Sequence, residues 1–371
     1  MRGVLAFARD PAFAALTGFT QDDLREMLAY YRANAGFAFD ENAVFETMRR
    51  WYDNYRFSPD TGADGAEPPH VANPTLVLYY MQYFLQNHKP QPELVDENLR
   101  MDYMKIRHII TEGRRVNGNY HRLEDVISRL GATATLRKSF QAKELGQADN
   151  FISFLFYNGL VTVTGEDMGQ SSLGIPNLTV GEFMHDFVAK AHEDVYGVDP
   201  QVFDIANGMA DFAETGDWRK AVETACGVVS RYWKVRDAIE GERVIQTALG
   251  SLLYVGHGPY IVRHEPEAGG GFIDIAFEPQ LNRWPTIGYA AILELKYFKQ
   301  GDAVTSETLD GVRADAKAQM AKYAKDNDLA RQWNLKPIPG VTEGVGGGTV
   351  ELKRILIVYH GGDVAVCEEV N

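Results

Sequence analysis

Cysteine is almost missing from this chain: 371 residues hold only Cys226 and Cys367. Two thiols make neither a disulfide framework nor a zinc cluster, and a reducing cytoplasm is the compartment expected. Long apolar runs are missing too. None reaches the roughly 18 residues of a membrane span. The opening MRGVLAFARDPAF lacks the apolar stretch and small-residue cleavage site of a secretory leader. Basic charge is the minority: 37 Lys and Arg stand against 51 Asp and Glu, a net charge of −14. That excludes a protein that coats nucleic acid through its overall charge, though not an enzyme with a local basic groove. No phosphate-cradling G-x-x-x-x-G-K-S/T loop occurs anywhere, and there is no internal repeat or low-complexity tract.

What remains is an ordinary globular balance, 45% hydrophobic and 11% aromatic, enough to bury the cores of two or three domains. Near the start, Thr20-Gln-Asp-Asp23 reads as a capping box opening a helix through Leu24, Met27, Leu28 and Tyr31. A second helix is expected over about 40–51, with Phe45, Met48 and Trp51 as its apolar stripe. Residues 58–70 are a Pro/Gly/Asp-rich loop. Asn73-Pro74 opens a helix through Leu76, Leu78, Met81 and Phe84. Further helices fall between 99 and 160. VTVT at 161–164 and LGIPN at 173–177 then flank a polar, Gly-rich turn. Helices followed by a hairpin suggest a winged-helix-like unit at roughly 100–180.

The C-terminal part changes character. Helices are expected over about 200–255, strands at 259–264, 272–278 and 289–298, a helix at about 306–327 and a buried strand at 354–360. The order is α-β-β-β-α-β. AGGG at 268–271 precedes a strand rather than a helix, so it reads as a hairpin turn and not a phosphate loop.

Alternation sorts the side chains of these strands. In 272–278, Ile273, Ile275 and Phe277 share one face and Asp274 points the other way. In 291–297, Leu293 and Leu295 share one face, with Glu294 and Lys296 on the other. If the strands pair in register, two carboxylates and an ammonium converge. Two carboxylates form a hard-oxygen site suited to magnesium; a lysine beside them orients a water or offsets charge growing on a phosphate. By themselves the three residues fit a surface ion pair equally well. Glu242 and Gln246 share a helix face just before the strands, and Gln319 and Tyr323 share one just after. Each pair taken alone reads as polar helix surface.

With Asp274, Glu294-Leu-Lys296 and Gln319-x-x-x-Tyr323 on an αβββαβ order, the chain resembles the PD-(D/E)XK nuclease superfamily. More narrowly, it resembles bacterial proteins that join an AAA-ATPase-like domain to such a nuclease. The phrases that carry this are Trp51-Tyr-Asp-Asn-Tyr-Arg-Phe57 with Val71-Ala-Asn73-Pro74, and SFLFYNGLVT at 153–162 with Ile175-Pro-Asn177. The resemblance implies an α+β protein in three parts: an ATPase-like helical lid or remnant at 1–95, a helical winged-helix-like connector at 96–198, and a restriction-endonuclease-like αβββαβ domain at 199–371. It implies a magnesium- or manganese-dependent hydrolase acting on DNA. Asp274 and Glu294 would bind the metal and Lys296 would serve the attacking water or the phosphate. Glu242 and Gln246 would support metal or water, and Gln319 and Tyr323 would steady the site. Two departures stand out. The relatives' P-loop is missing, which implies a separate ATPase partner or none. Relatives often carry Glu-x-x-Tyr-His where this chain has Glu242-Arg-Val-Ile-Gln246. The alternative is therefore a weakened nuclease fold that binds nucleic acid or protein without turnover.

Other polar features read as ordinary surface or core. His185 and His192, near Glu182 and Asp186, are expected to be solvated helix residues. Arg114 and Arg115 fit a surface turn as well as a phosphate contact. Cys226 and Cys367 sit in apolar contexts and are expected to be buried thiols rather than nucleophiles.

Overall fold

A computed structural model describes residues 14–58, 69–91, 94–95, 119–127, 131–235, 241–254, 258–338, 341–342 and 347–370. Arg114, Arg115 and most of the 58–70 loop lie outside them. The chain forms two compact units, residues 1–187 and 188–371.

In the first unit, β1 (Phe19–Thr20), α1 (Gln21–Asn34), α2 (Glu41–Tyr52), β2 (Val71–Ala72) and α3 (Pro74–Asn87) come first. Local chemistry starts each helix where the residues direct it. Thr20 accepts from the Asp23 N–H, and the Asp23 carboxylate accepts from the Thr20 N–H in return. Asn73 accepts from the N–H groups of Thr75 and Leu76, with Pro74 in the first turn. Phe45, Met48 and Trp51 form the buried stripe of α2. Then follow α4 (Tyr120–Ile127), β3 (Ala132–Ala134), α5 (Ala148–Tyr157), β4 (Thr162–Asp167) and β5 (Gln170–Gly174). β4 and β5 make the hairpin, and β3 pairs with β5 to give the order β3-β5-β4. The WYDNYRF and IPN phrases meet in space: Asn177 donates to the Asp53 carbonyl at 2.9 Å, and Thr179 donates to the Trp51 carbonyl at 2.7 Å.

Helix α6 (Leu178–Tyr196) contains the division between the units. It corrects one expectation: Glu182 and His185 are buried rather than solvated, and only Asp186 beside them is exposed. The side chain of His192 lies outside the described residues.

The second unit continues with α7 (Val202–Thr215), α8 (Arg219–Val235), α9 (Glu242–Leu253), β6 (Tyr260–His264), β7 (Glu267–Ala268), β8 (Gly271–Phe272), β9 (Ile275–Pro279), β10 (Tyr289–Phe298), α10 (Ser306–Ala324), α11 (Asn327–Gln332), β11 (Glu351–His360) and β12 (Asp363–Glu369). The chain is thus of mixed α and β type. One five-stranded sheet runs β12-β11-β10-β9-β6. β10 and β11 are parallel, and the remaining pairs are antiparallel. The parallel pair needs a crossover, which α10 and α11 supply. β10 is buried from Ala290 to Leu295, as a continuous apolar run covered on both faces should be. One face packs with α10: Ala290 and Ile292 share a core with Ala316, Met320 and Tyr323. On the other, Phe277 of β9 stands against Phe212 of α7, with ring centroids 6.1 Å apart.

The strand expected at 272–278 is interrupted. β9 begins only at Ile275, and Asp274 lies in a bend before it. Ile273 therefore does not share a face with Ile275 and Phe277; it joins the α10 core beside Ala276. The cause is hydrogen bonding. The Ile273 N–H donates to the Pro266 carbonyl, and the Asp274 carbonyl accepts from the Glu265 N–H, which turns this stretch out of the ladder. AGGG forms the turn of the small β7–β8 hairpin. Gly269 and Gly270 both take positive φ, and a Cβ on Gly269 would lie 2.7 Å from the Lys322 carbonyl oxygen, so only glycine lets the turn dock there.

Candidate active site

Glu294 sits on β10 because alternation puts it there. Ala290, Ile292, Glu294 and Lys296 form one row facing α10. The row starts in the apolar core and ends towards water. The Glu294 side chain is 1% exposed and that of Lys296 is 32% exposed. The two are joined, Lys296 Nζ donating to Glu294 Oε1 at 2.7 Å. The other oxygen, Glu294 Oε2, is buried and makes no hydrogen bond to any described residue.

Asp274 reaches the same place from the bend just before β9. Its bend puts the carboxylate against the next strand, where Oδ2 accepts from the Leu295 N–H at 2.6 Å. That backbone contact does not show in side-chain patterns, and alternation could not have found it. Gln246 on α9 donates through Nε2 to the Asp274 carbonyl at 2.8 Å. The carbonyl thus receives two donors, Gln246 and the Glu265 N–H, and Gln246 holds the bend rather than extending its amide N–H towards the carboxylates. Glu242 lies one helical turn before Gln246, half-buried in the first turn of α9.

Gln319 and Tyr323 stand on α10. Gln319 Nε2 donates to the Tyr323 hydroxyl, and that hydroxyl donates to the Phe272 carbonyl, each at 2.6 Å. The pair therefore braces the segment that leads into Asp274. No hydrogen bond links either of them to Asp274, Glu294 or Lys296 among the described residues. His264, at the end of β6, was not singled out by the sequence. Its ring packs against Gly250, where any side chain would overlap the imidazole, and loss of solvent around the ring pushes it down to about 4, so the ring is neutral.

The electrostatics follow from crowding acid into a dry place. Burial, and then the neighbouring Glu294 charge, push Asp274 up to about 7 against the opposing Leu295 N–H and Lys296. Burial raises Glu294 as well, with Glu242 adding to it and Lys296 opposing. For Lys296, burial pulls down, but the contact with Glu294 and the charges of Glu242 and Asp274 prevail and hold it above its ordinary value. Burial raises Tyr323, helped by the charges of Glu294 and Asp274 and opposed by Gln319. Three carboxylates face one ammonium.

This donor set fits a magnesium ion. Among the described residues no three His, Cys, Asp or Glu side chains gather into a ready-made cage. Magnesium, however, keeps several waters and takes one or two carboxylates. Asp274 and Glu294 supply these, Glu294 Oε2 is left without a hydrogen bond and open to an ion, and a divalent charge offsets the acidic excess.

Residues 240–343 match the family model of the PD-(D/E)XK nuclease superfamily. The matched stretch holds Glu242, Gln246, Asp274, Glu294, Lys296, Gln319 and Tyr323. Among curated proteins, none matches the chain.

Proposed function

We propose that this protein is a magnesium-dependent nuclease that hydrolyses phosphodiester bonds in DNA, with manganese able to replace magnesium. Asp274 and Glu294 hold the ion. Bound there, it supplies a Lewis acid that lowers the pKa of a water and offsets charge on the phosphate. Lys296, the most exposed of the three, presents its ammonium to the attacking water or to a phosphate oxygen. Gln246 fixes the Asp274 bend. Glu242 adds negative charge beside the metal site. Gln319 and Tyr323 brace the approach to Asp274 through the Phe272 carbonyl. Residues 96–198 serve as a winged-helix-like connector, a reading supported by the β3-β5-β4 sheet with α4 and α5. Residues 1–95 are read as an ATPase-like helical lid or remnant. The reading rests above all on one observation: a half-buried Asp274 and a buried Glu294 with a free oxygen meet beside a single lysine.

The purified chain should convert supercoiled plasmid to nicked or linear DNA with magnesium, stop with a chelator, and lose this activity in Asp274→Ala. Undiminished cleavage by that variant would falsify the assignment. Calorimetric titration separates the rival reading. DNA binding with no magnesium or manganese uptake, and no turnover, would identify a binding module.

A further inference from the structure

The two cysteines, far apart in sequence, are brought to one face of the sheet. In the antiparallel β11–β12 pair, Cys367 stands opposite Ile357, and opposed residues send their side chains to the same side. Tyr359 is two residues beyond Ile357 and shares that side. Its buried hydroxyl donates to the Cys226 carbonyl at 3.0 Å, so α8 covers the face that carries Cys367. There Cys226 on α8 and Cys367 on β12 lie on the same covered side of the sheet, and each is the strongest influence on the other's ionisation.

The pair is asymmetric. Cys226 is fully enclosed, whereas Cys367 is half-buried on β12, at the edge of the sheet. The neighbouring Cys226 thiol holds the Cys367 thiol below its ordinary range against burial, with Arg219 assisting. The same contact, with burial, pushes Cys226 well up. The reachable thiol is thus the more readily ionised, and ionisation is what makes a cysteine nucleophilic.

We propose that Cys226 and Cys367 are a redox modification site, closing to an intramolecular disulfide when the protein meets a peroxide. The Cys367 thiolate attacks one oxygen of hydrogen peroxide; the O–O bond breaks, and hydroxide leaves and takes up a proton as water. Cys367 is now a sulfenic acid. The Cys226 sulfur attacks it, the S–O bond breaks, and the oxygen leaves as a second water with the Cys226 proton. Two thiols give up two electrons and one peroxide accepts them. Thiol reductants reverse the product.

The test treats the full native chain with hydrogen peroxide, blocks remaining thiols under denaturing conditions and reads the intact mass with a peptide map. The expected result is a loss of two hydrogens, two titratable thiols falling to none, and one linked peptide joining Cys226 to Cys367, reversed by dithiothreitol. In Cys226→Ala the disulfide is absent and Cys367 stops at an oxygen adduct. Wild-type protein that keeps two free thiols, carries sulfinic acid on Cys367 alone, or forms a Cys367-linked dimer would overturn the proposal.

Discussion

Asp274 and Glu294 come together just beyond the end of the β9–β10 ladder, where the Asp274 carboxylate accepts from the Leu295 N–H next to Glu294. The last registered pair is Leu293 with Ile275, and β9 gives way to a bend at Asp274. The bend, rather than the ladder, brings the two carboxylates together, and Lys296 follows on the same face of β10. Three consequences can be measured.

Removing Lys296 should separate its two roles. Lys296→Ala takes from Glu294 its partner at 2.7 Å and leaves a buried carboxylate with no cation. Breaking a buried pair in this way costs roughly 3–5 kcal/mol, and the partial exposure of Lys296 places the loss at or below about 3 kcal/mol. Urea unfolding at neutral pH reads it. Plasmid cleavage should drop by about 10²–10³-fold, the scale on which removal of a single charge-stabilising donor acts. A variant that cleaves as well as wild type would remove the lysine from the chemistry.

The metal-free protein should be less stable at neutral than at mildly acidic pH because of Asp274. In the unfolded chain this carboxyl titrates near 3.8, and in the fold near 7. Between those values the folded protein holds the proton and the unfolded chain does not. The favourable contribution is therefore complete below about pH 4 and is lost as pH rises to about 7, at no more than about 1.4 kcal/mol per pH unit. Glu294, also raised, acts in the same direction. Asp274→Asn carries no such proton, so its stability relative to wild type should grow across that window, and magnesium should narrow the gap at neutral pH. Parallel denaturation curves for the two proteins from pH 4 to 8 would reveal it; a constant difference would place Asp274 in ordinary solvent.

A third substitution tests the scaffold behind the site. Gly250→Ala places a methyl where the His264 ring now lies. Overpacking of this kind costs about 1–3 kcal/mol, visible as a lower thermal midpoint. The carboxylates and Lys296 keep their own contacts. The remaining folded protein should therefore still bind magnesium in calorimetry, unlike an Asp274 variant.

Strand β10 was legible to the residue, because ten consecutive apolar or alternating positions are bounded by turn-forming ends. From it followed the common face of Glu294 and Lys296. The Asp274 bend was not legible. Its causes are Gln246, 28 positions earlier, and Glu265, across a hairpin; such bonds leave no local pattern. Ile273 was misplaced for the same reason. Gln319 and Tyr323 were legible as a helix pair, but their target, the Phe272 carbonyl, is backbone and carries no sequence label. The meeting of Cys226 with Cys367 depends on β12, a strand that hydrophobic alternation did not reveal because its first three residues are exposed.

The enclosure of β10 on both faces also governs its tolerance of change. A polar or bulky replacement at Ala290, Ala291, Ile292, Leu293 or Leu295 would strike the core first, and its phenotype in a random loss-of-function screen would look like that of a damaged catalytic group. Lys296, at the wet end of that row, is the position on this strand where genetics can distinguish an inert enzyme from one that never folded.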